Sequence, residues 1–443
     1  VQEDVEALLK ALWIDVEGEG LGVGFAMRAK RLGHDLRFWQ PPHKGTGLAL
    51  PYGEGLVTRI ADWEESIEWA DLVIINGNNR YTELFAPYFG KGLPILGANA
   101  RGAELELDRQ KGQEVLDRYE VETIPYVVVD SISEAIAHIS AQKRAVVAKP
   151  WGGDSNSAMT FVADSPEDAL FTLRRWEKQG LFKGQLMLQE KVEGVEIGIS
   201  GMFGPHGWCE ALEESFEHKR LMPSDYGPNT GEMGTVIRHV TSSLLFERVL
   251  APLTPYLHEI NYIGDISVNC IVGAGGTPLP LEFTARWGWP DFALRLEALH
   301  GDPVEFMAAL VHGEDKFIVT PDVVVGVVLA HGDFPRGGDP LGTWADFPIR
   351  YADDAHLYWE HVKRGEHPKL EGGSKRGLVT AGNYVAVATA RGKTVSDASA
   401  AAYAVVESVS WPSDIIVRDD IGERLREDLP QLQRLGYAEG MRY

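Results

Sequence analysis

The first hundred residues alternate short apolar runs with helix-like stretches, and this alternation restricts the possible folds more than any other feature. LWIDV, from Leu12, reads as a buried strand, and a glycine-rich turn from Gly18 to Gly24 follows it. FAMRAKRLGH then has helical periodicity, DLRFW is extended, and DLVIING (from Asp71) and LPILGAN (from Leu93) are further apolar strands. Short strands separated by helices imply an α/β architecture with a parallel, doubly wound sheet. Ligands of such sheets sit beyond the carboxyl ends of the strands, so Glu17, Glu19, Gly77 and Asn78 are expected to border a cleft.

The pattern changes after residue 100. A charged helix (GAELELDRQKGQEVLDRY) precedes the strand IPYVVVD and the helix ISEAIAHISAQ, and the strands AVVAKP and AMTFVAD flank a loop of small residues. MLQEKVEG, VEIGISGMFG and GWCEALEESFEH read as successive strands of one antiparallel sheet. LLFERVLAPLTPYLHEIN reads as a helix with an interior proline, and GDISVNCIVGA with PLPLEFTA as a hairpin-like pair. A third region holds VVVGVVLAHGDFP, NYVAVATARG and a helix, DASAAAYAVVESV. A chain of 443 residues exceeds one ordinary core. Three domains are expected: an N-terminal α/β domain over 1–100, a central domain over 101–325 with a small lobe at 122–187, and a C-terminal mixed α/β domain over 326–443.

Composition excludes several function classes. A formal charge of −23 argues against a nucleic-acid partner, which calls for clustered Lys and Arg. An anionic substrate must then be drawn to a local basic pocket against the overall field. Cys209 and Cys270 form no CxxC pair, so neither a zinc site nor a disulfide framework is expected. No apolar run approaches a membrane span and no signal segment is evident, so a cytoplasmic protein, monomer or homodimer, without a membrane partner is expected.

Phosphoryl transfer to a carboxylate needs charge neutralisation more than covalent help, and four segments offer it. Lys149 ends an apolar strand and precedes Trp151-Gly152-Gly153-Asp154-Ser155, where small residues let backbone N–H groups face one anion; a glycine-rich turn fits the same residues. This is not a Walker A loop, because no GxxxxGK[ST] occurs. Gln189-Glu190-Lys191-Val192 ends one strand before Glu196 starts another; it suits an adenine-pairing linker with Glu196 on a ribose, or a solvated β-connection. In LEFTARWG, Glu282 is a hard oxygen ligand suited to Mg²⁺ and Arg286 could stabilise a transferring phosphoryl, with Asn269 on the preceding strand; a surface Glu/Arg pair is the alternative. Lys219-Arg220, before the Gly/Pro/Asn loop from Asp225 to Gly234, suits anion binding by side chains and backbone together, or an exposed loop.

Together these segments resemble the phosphoribosylamine–glycine ligase family of the ATP-grasp superfamily, from end to end. The family's DHKR and GPNTGGMG signatures correspond to EHKR (217–220) and GPNTGEMG (227–234), and its EFNxRFGDPE to EFTARWGWPD (282–291). IINGN (74–78), GLPILGA (92–98) and VRDDIG (417–422) match three further motifs. The resemblance implies an ATP-grasp fold and an ADP-forming carboxylate–amine ligase that uses ATP and Mg²⁺ (or Mn²⁺), as in purine synthesis. It implies that Arg109, Lys149 and the loop with Gly152, Gly153 and Ser155 hold the phosphates, with Gln189, Glu190 and Val192 on adenine and Glu196 on ribose. Lys219, Arg220 and Arg286 would act at the reacting groups, and Glu282, Asn269 and Thr284 would hold the metal. Glu17, Gly18, Gly77, Asn78, Asp225, Asn229, Thr230, Gly231, Trp289 and Asp291 would face the substrates, an amine and a carboxylate such as phosphoribosylamine and glycine. Three departures stand out: Thr284 replaces the family's metal-binding Asn, Trp289 replaces an Asp, and DVEGEGLG replaces the family's GGREHA loop. They leave open the same chemistry on a different amine and acid, in a specialised or viral pathway, or a non-catalytic nucleotide-binding module.

Overall fold

The computed structural model describes residues 8–43, 46–78, 82–151, 160–181, 184–336, 339, 341–368 and 376–443. The N-terminal sheet is five-stranded and parallel, in the order Thr58–Arg59, Asp35–Trp39, Lys10–Ile14, Leu72–Ile75, Ile95–Leu96. Both faces are buried: Ala11, Trp13, Leu36 and Phe38 pack on one side, and Leu12, Ile14, Val73 and Ile75 on the other. That two-sided burial is why these strands read as continuous apolar runs. Strand order reverses between Lys10–Ile14 and Leu72–Ile75, so the loops after them, 15–22 and 76–78, flank the switch point where such sheets hold ligands.

The expected charged helix is two helices, Ala100–Leu107 and Arg109–Arg118. Asp108 separates them, because its extended backbone and its carboxylate, which accepts from the N–H groups of Gln110 and Lys111, start the second helix. The four strands Tyr126–Val129, Leu186–Glu190, Val146–Pro150 and Phe161–Val162, in that order, form a small antiparallel sheet backed by the helices Ile132–Gln142 and Pro166–Gln179. Leu186–Glu190 therefore does not continue into the sheet of Val195–Gly204, contrary to the sequence expectation.

The largest sheet has nine strands. Its path runs Pro278–Thr284, Gly264–Val272, Val195–Gly204, Gly207–Glu217, Gly234–Val240, Val323–His331, Tyr384–Gly392, Leu357–Trp359, with Ile415–Ile416 beside Val323–His331. The hairpin-like pairing of 264–272 with 278–284 is present. Residue 325 lies inside a strand hydrogen-bonded on both sides, so the sheet does not divide at the expected boundary between 325 and 326. The stretch from Leu244 is two short helices, Leu244–Val249 and Thr254–Glu259, joined by a 3-10 turn at Ala251–Leu253; Pro252 and Pro255 cannot donate the bonds a single helix needs.

Alternation along these strands gives the large sheet two unlike faces. Ile197, Ile199, Phe216, Val236, Val268, Cys270 and Phe283 lie on one face, within a core shared with the helices Ala100–Leu107, Arg109–Arg118 and Leu425–Gln433. Their neighbours Glu196, Gly198, Glu217, Asn269 and Glu282 occupy the other. Among the described residues no helix is long and apolar enough to cross a membrane. Ile199 is fully buried at the centre of the apolar face. Ile199→Ala should destabilise the protein by about 2–5 kcal/mol, read as a lower chemical-denaturation midpoint at unchanged slope; an unmoved midpoint would contradict this account of the core.

Candidate active site

The small sheet presents one face to its helices and the other to the large sheet. Val129, Val146, Ala148, Leu186 and Leu188 pack on the helices. The intervening Tyr126, Lys149, Met187 and Gln189 share the opposite face, since Tyr126 pairs with Gln189 and Lys149 with Met187. Lys149 is only 6% exposed, and its Nζ donates to the Leu281 carbonyl at 3.4 Å, across the cleft. Arg109, at the start of its helix, donates to the Pro150 carbonyl at 2.6 Å. Lys219 Nζ stands 3.1 Å from Glu217, 3.5 Å from Glu282 and 3.6 Å from Glu196.

These charges tune one another. Burial lowers Lys149 to about 8, with Arg109 and Lys219 also lowering it and Glu282 opposing them. Burial also works against a charged Lys219, but Glu217, Glu196 and Glu282 hold its ammonium well above the usual range. Withdrawal from water pushes the Glu282 carboxyl up, and Lys219, Lys149 and Arg109 outweigh that and hold it below its ordinary value. Three cations from three elements thus converge on one carboxylate. Asn269 pairs directly with Glu282, and Ser267 with Thr284, on adjoining strands. Gly198 makes room for Asn269: a Cβ there would lie 2.7 Å from the Asn269 Oδ1 and 2.3 Å from the Ser215 Oγ.

Arg286 is held apart from that cluster by Glu106. Its Nε and NH2 both lie 3.1 Å from Glu106 Oε1, while Glu106 Oε2 accepts from Asn78 Nδ2 at 2.7 Å and from the Ala285 N–H at 2.9 Å. Asn78 therefore anchors the N-terminal sheet to the strand end bearing Arg286. Glu17 and Glu19 also act on Arg286 electrostatically, after Glu106. Gly77 packs on the same loop, since a Cβ there would lie 2.6 Å from Glu17 Oε1.

The loop after Lys219 is tied mainly to the chain's own groups. Arg220 pairs in register with Asn229 and donates to the Gly227 carbonyl at 2.8 Å. The Thr230 hydroxyl and N–H both donate to the Lys219 carbonyl, each at 2.8 Å. Asp225 forms an ion pair of 2.9 Å with Arg418, whose guanidinium also binds Asp420 and the Arg220 carbonyl. Asp291 is joined to Arg295 at 2.9 Å, within a buried group that includes Asp265 and Glu213. At the other end of the cleft, Glu190 pairs with Arg144 at 2.8 Å, Val192 is half-buried, and the buried Gln189 Nε2 has no hydrogen-bond partner among the described residues. Gly152, Gly153 and Ser155 lie outside the described residues.

Glu17, Gly18, Gly231 and Trp289 line a cavity of about 740 Å³ at the switch point, together with Glu19, Tyr52, Glu232, His361 and Tyr384. Of the residues expected to border a cleft there, Glu17 and Glu19 line this cavity, and Gly77 and Asn78 do not. Burial holds His361 neutral, down to about 3; its Nε2 donates to the Glu19 carbonyl and its Nδ1 accepts from the Tyr384 N–H at 3.0 Å. Glu106 and Glu360 were not singled out from sequence, and Glu217 was noted only as the first residue of the EHKR motif, without a role. Glu106 sits in a charged helix, and the Glu360 side chain is far in sequence from the Gly22 N–H it binds.

The chain is similar to several known proteins in sequence and in fold. Residues 108–292 match the family model described as phosphoribosylglycinamide synthetase, ATP-grasp (A) domain. The phosphoribosylamine–glycine ligase of Halalkalibacterium halodurans is 28% identical over 346 residues, 75% of this chain and 77% of the relative. That of Escherichia coli O157:H7 is 25% identical over 412 residues, 88% of this chain and 92% of the relative. The crystal structure of phosphoribosylamine–glycine ligase from Thermotoga maritima superposes with a TM-score of 0.68 at 19% identity, covering 94% of this chain and all (100%) of that one. The biotin carboxylase domain of Hydrogenobacter thermophilus 2-oxoglutarate carboxylase, solved with MgADP, ADP and bicarbonate, gives 0.62 at 14% identity, covering 98% and 100%. The protein therefore has the ATP-grasp fold, and its residues 108–292 are similar to the ATP-grasp domain of phosphoribosylglycinamide synthetase.

Proposed function

We propose that the protein is an ADP-forming carboxylate–amine ligase that works through an acyl phosphate. The observation that carries this reading is the convergence of Arg109, Lys149 and Lys219 on Glu282, in a protein whose net charge is −23. A triphosphate entering an anionic protein needs such a local cationic pocket. Lys149 and Arg109 grip the phosphates from the small lobe and the helix start, and Lys219 holds the transferring phosphoryl from the large sheet. The orphaned amide nitrogen of Gln189 suits a ring nitrogen of adenine, because a buried donor without a partner is costly. Glu190 and Val192 frame that base, and Glu196 faces the ribose. Gly152, Gly153 and Ser155 complete the phosphate cover in this reading.

The residues present fit a hard divalent cation. Glu282, Asn269 and Thr284 supply a carboxylate, an amide and a hydroxyl oxygen from adjoining strands. Among the described residues no group of three or more His, Cys, Asp or Glu side chains is placed to hold a metal alone. That suits Mg²⁺ or Mn²⁺ shared with substrate phosphates. When bound, the ion neutralises charge on the phosphoryl group in transfer.

The reaction then has two halves. A substrate carboxylate oxygen attacks the γ-phosphorus of ATP, the bond to the β–γ bridging oxygen breaks, and ADP leaves. A neutral amine next attacks the acyl carbon, inorganic phosphate departs, and the nitrogen loses a proton as the amide forms. Lys219, Arg220 and Arg286 balance negative charge through both steps. Asn229, Thr230 and Gly231 shape the acceptor side of the loop, where Thr230 fixes the Lys219 backbone. Asp225 and Asp291 act as positioning residues through Arg418 and Arg295. Phosphoribosylamine and glycine are the substrates named for the similar enzymes, and they are the first pair to assay by ADP release.

Glu282→Ala should lower ADP formation by about 10²-fold or more; a variant with full turnover would contradict the metal assignment. The lowered Lys149 adds a pH test. Between about 8 and its ordinary 10.5, the free protein lacks a proton that a bound phosphate would restore. Titration of MgADP at pH 9 in buffers of different ionisation enthalpy should show uptake of up to about one proton. Lys149→Met should abolish it; equal uptake in the variant would contradict the assignment of Lys149.

A further inference from the structure

Two departures from the signature motifs fall in one place. GPNTGEMG (227–234) carries Glu232 where the signature it resembles has glycine, and EFTARWGWPD (282–291) carries Trp289 where it has aspartate. Glu232 and Trp289 both line the cavity at the switch point, with Gly231 and Tyr384. Relative to the signatures, a carboxyl group is lost from one wall of the cavity and gained on another. The exchange moves an acid within the cavity instead of removing it.

The backbone sets where that acid stands. The Thr230 N–H donates to the Lys219 carbonyl and the Met233 N–H to the His218 carbonyl, each at 2.8 Å, so Gly231 and Glu232 are held beside His218 and Lys219. Thr235 pairs in register with Glu217, and its buried hydroxyl donates to Glu232 Oε1. That bond fixes the carboxyl group of Glu232, a residue only 6% exposed. Glu217 and Lys219 act on it electrostatically from the reacting centre, and it acts in turn on Tyr384 in the cavity wall. Glu17 and Glu19, the other carboxyl groups lining the cavity, act on Arg286.

Glu232 therefore stands where the reacting centre meets the cavity, and the second half of the reaction needs a proton acceptor there. An amine nitrogen that attacks an acyl carbon becomes positively charged, and a neutral amide forms only when a proton is removed. Lys219 is no acceptor, because Glu217, Glu196 and Glu282 hold its ammonium well above the usual range. The adjacent His218 is a weak base, pushed down by burial to about 3.

Resting on the ligase reading above, we propose that Glu232 is the general base of the amide-forming step, its carboxylate taking the proton that the attacking nitrogen loses. The nitrogen lone pair forms the C–N bond, the C–O bond to phosphate breaks, and inorganic phosphate leaves with that bond pair. The N–H proton passes to Glu232, which releases it to solvent before the next turnover. A base works only when ionised, so ligation at saturating nucleotide rises with pH as Glu232 titrates. Burial, Glu217 and Asp291 raise that carboxyl group above its ordinary range, and Thr235 and Lys219 oppose them.

Hydroxylamine separates this step from all that precedes it, because it attacks acyl phosphates without the help of a base. With ATP, Mg²⁺ and glycine held constant, Glu232→Gln should lower ligation to phosphoribosylamine by about 10²-fold, and glycyl hydroxamate formation by less than about threefold. The rise of ligation with pH should be flatter in the variant. The substitution is isosteric, and a circular-dichroism melt superimposable on the wild type shows that the fold is kept. Equal losses with both acceptors, no loss with phosphoribosylamine, or identical pH profiles would overturn the proposal. A wild-type chain that forms no hydroxamate would overturn the ligase reading, and this proposal with it.

Discussion

Lys219 is surrounded by Glu217, Glu282 and Glu196 at 3.1–3.6 Å, and the site is organised around that arrangement. One ammonium cannot neutralise three carboxylates, so the group gains from further positive charge, which Lys149 and Arg109 bring from the other side of the cleft. The small sheet and the large sheet are thus linked electrostatically through Glu282. Burying a lysine as deeply as Lys149 is unfavourable on its own, and the fold tolerates it because an opposite charge stands nearby. A phosphate chain and a divalent ion would complete the balance. The cost of holding these groups ready is met by the apolar side of the large sheet, which turns a continuous core toward its helices.

Two-residue alternation converts sequence into this division of labour. Along Gly264–Val272, Ile266, Val268 and Cys270 enter the core while Asp265, Ser267 and Asn269 do not. Along Val195–Gly204 the core takes Ile197 and Ile199 and leaves Glu196, Gly198 and Ser200. The same rule in the small sheet places Lys149 and Gln189 together on the cleft side. No single residue on the polar face is diagnostic by itself; their coincidence on one surface is.

Much of this was legible in the sequence, and the reasons are local. Apolar runs such as LVII at 72–75 are buried on both faces, so composition alone marks them as strands of a parallel sheet. Lys149 ends a strand beside a small-residue loop, and EHKR with GPNTGEMG is rare enough to identify its surroundings. What escaped was set by contacts between distant segments. Glu106 reads as one more charge on an amphipathic helix, yet it binds Asn78 and Arg286, 28 and 180 positions away. Glu360 caps a helix 338 residues earlier. Leu186–Glu190 looked continuous with the next strand because neither residue pattern nor spacing reveals a change of sheet, and Asp225 looked like a substrate ligand because Arg418 is nearly two hundred residues downstream.

The most direct test of the account is a crystal structure of the full chain with MgADP. The account predicts the β-phosphate between Lys149 and Arg109, the ion on Glu282 and Asn269, and adenine against Gln189. Nucleotide seated in the cavity lined by Glu17, Glu19 and Trp289, or anywhere that leaves Lys149 and Glu282 untouched, would contradict it.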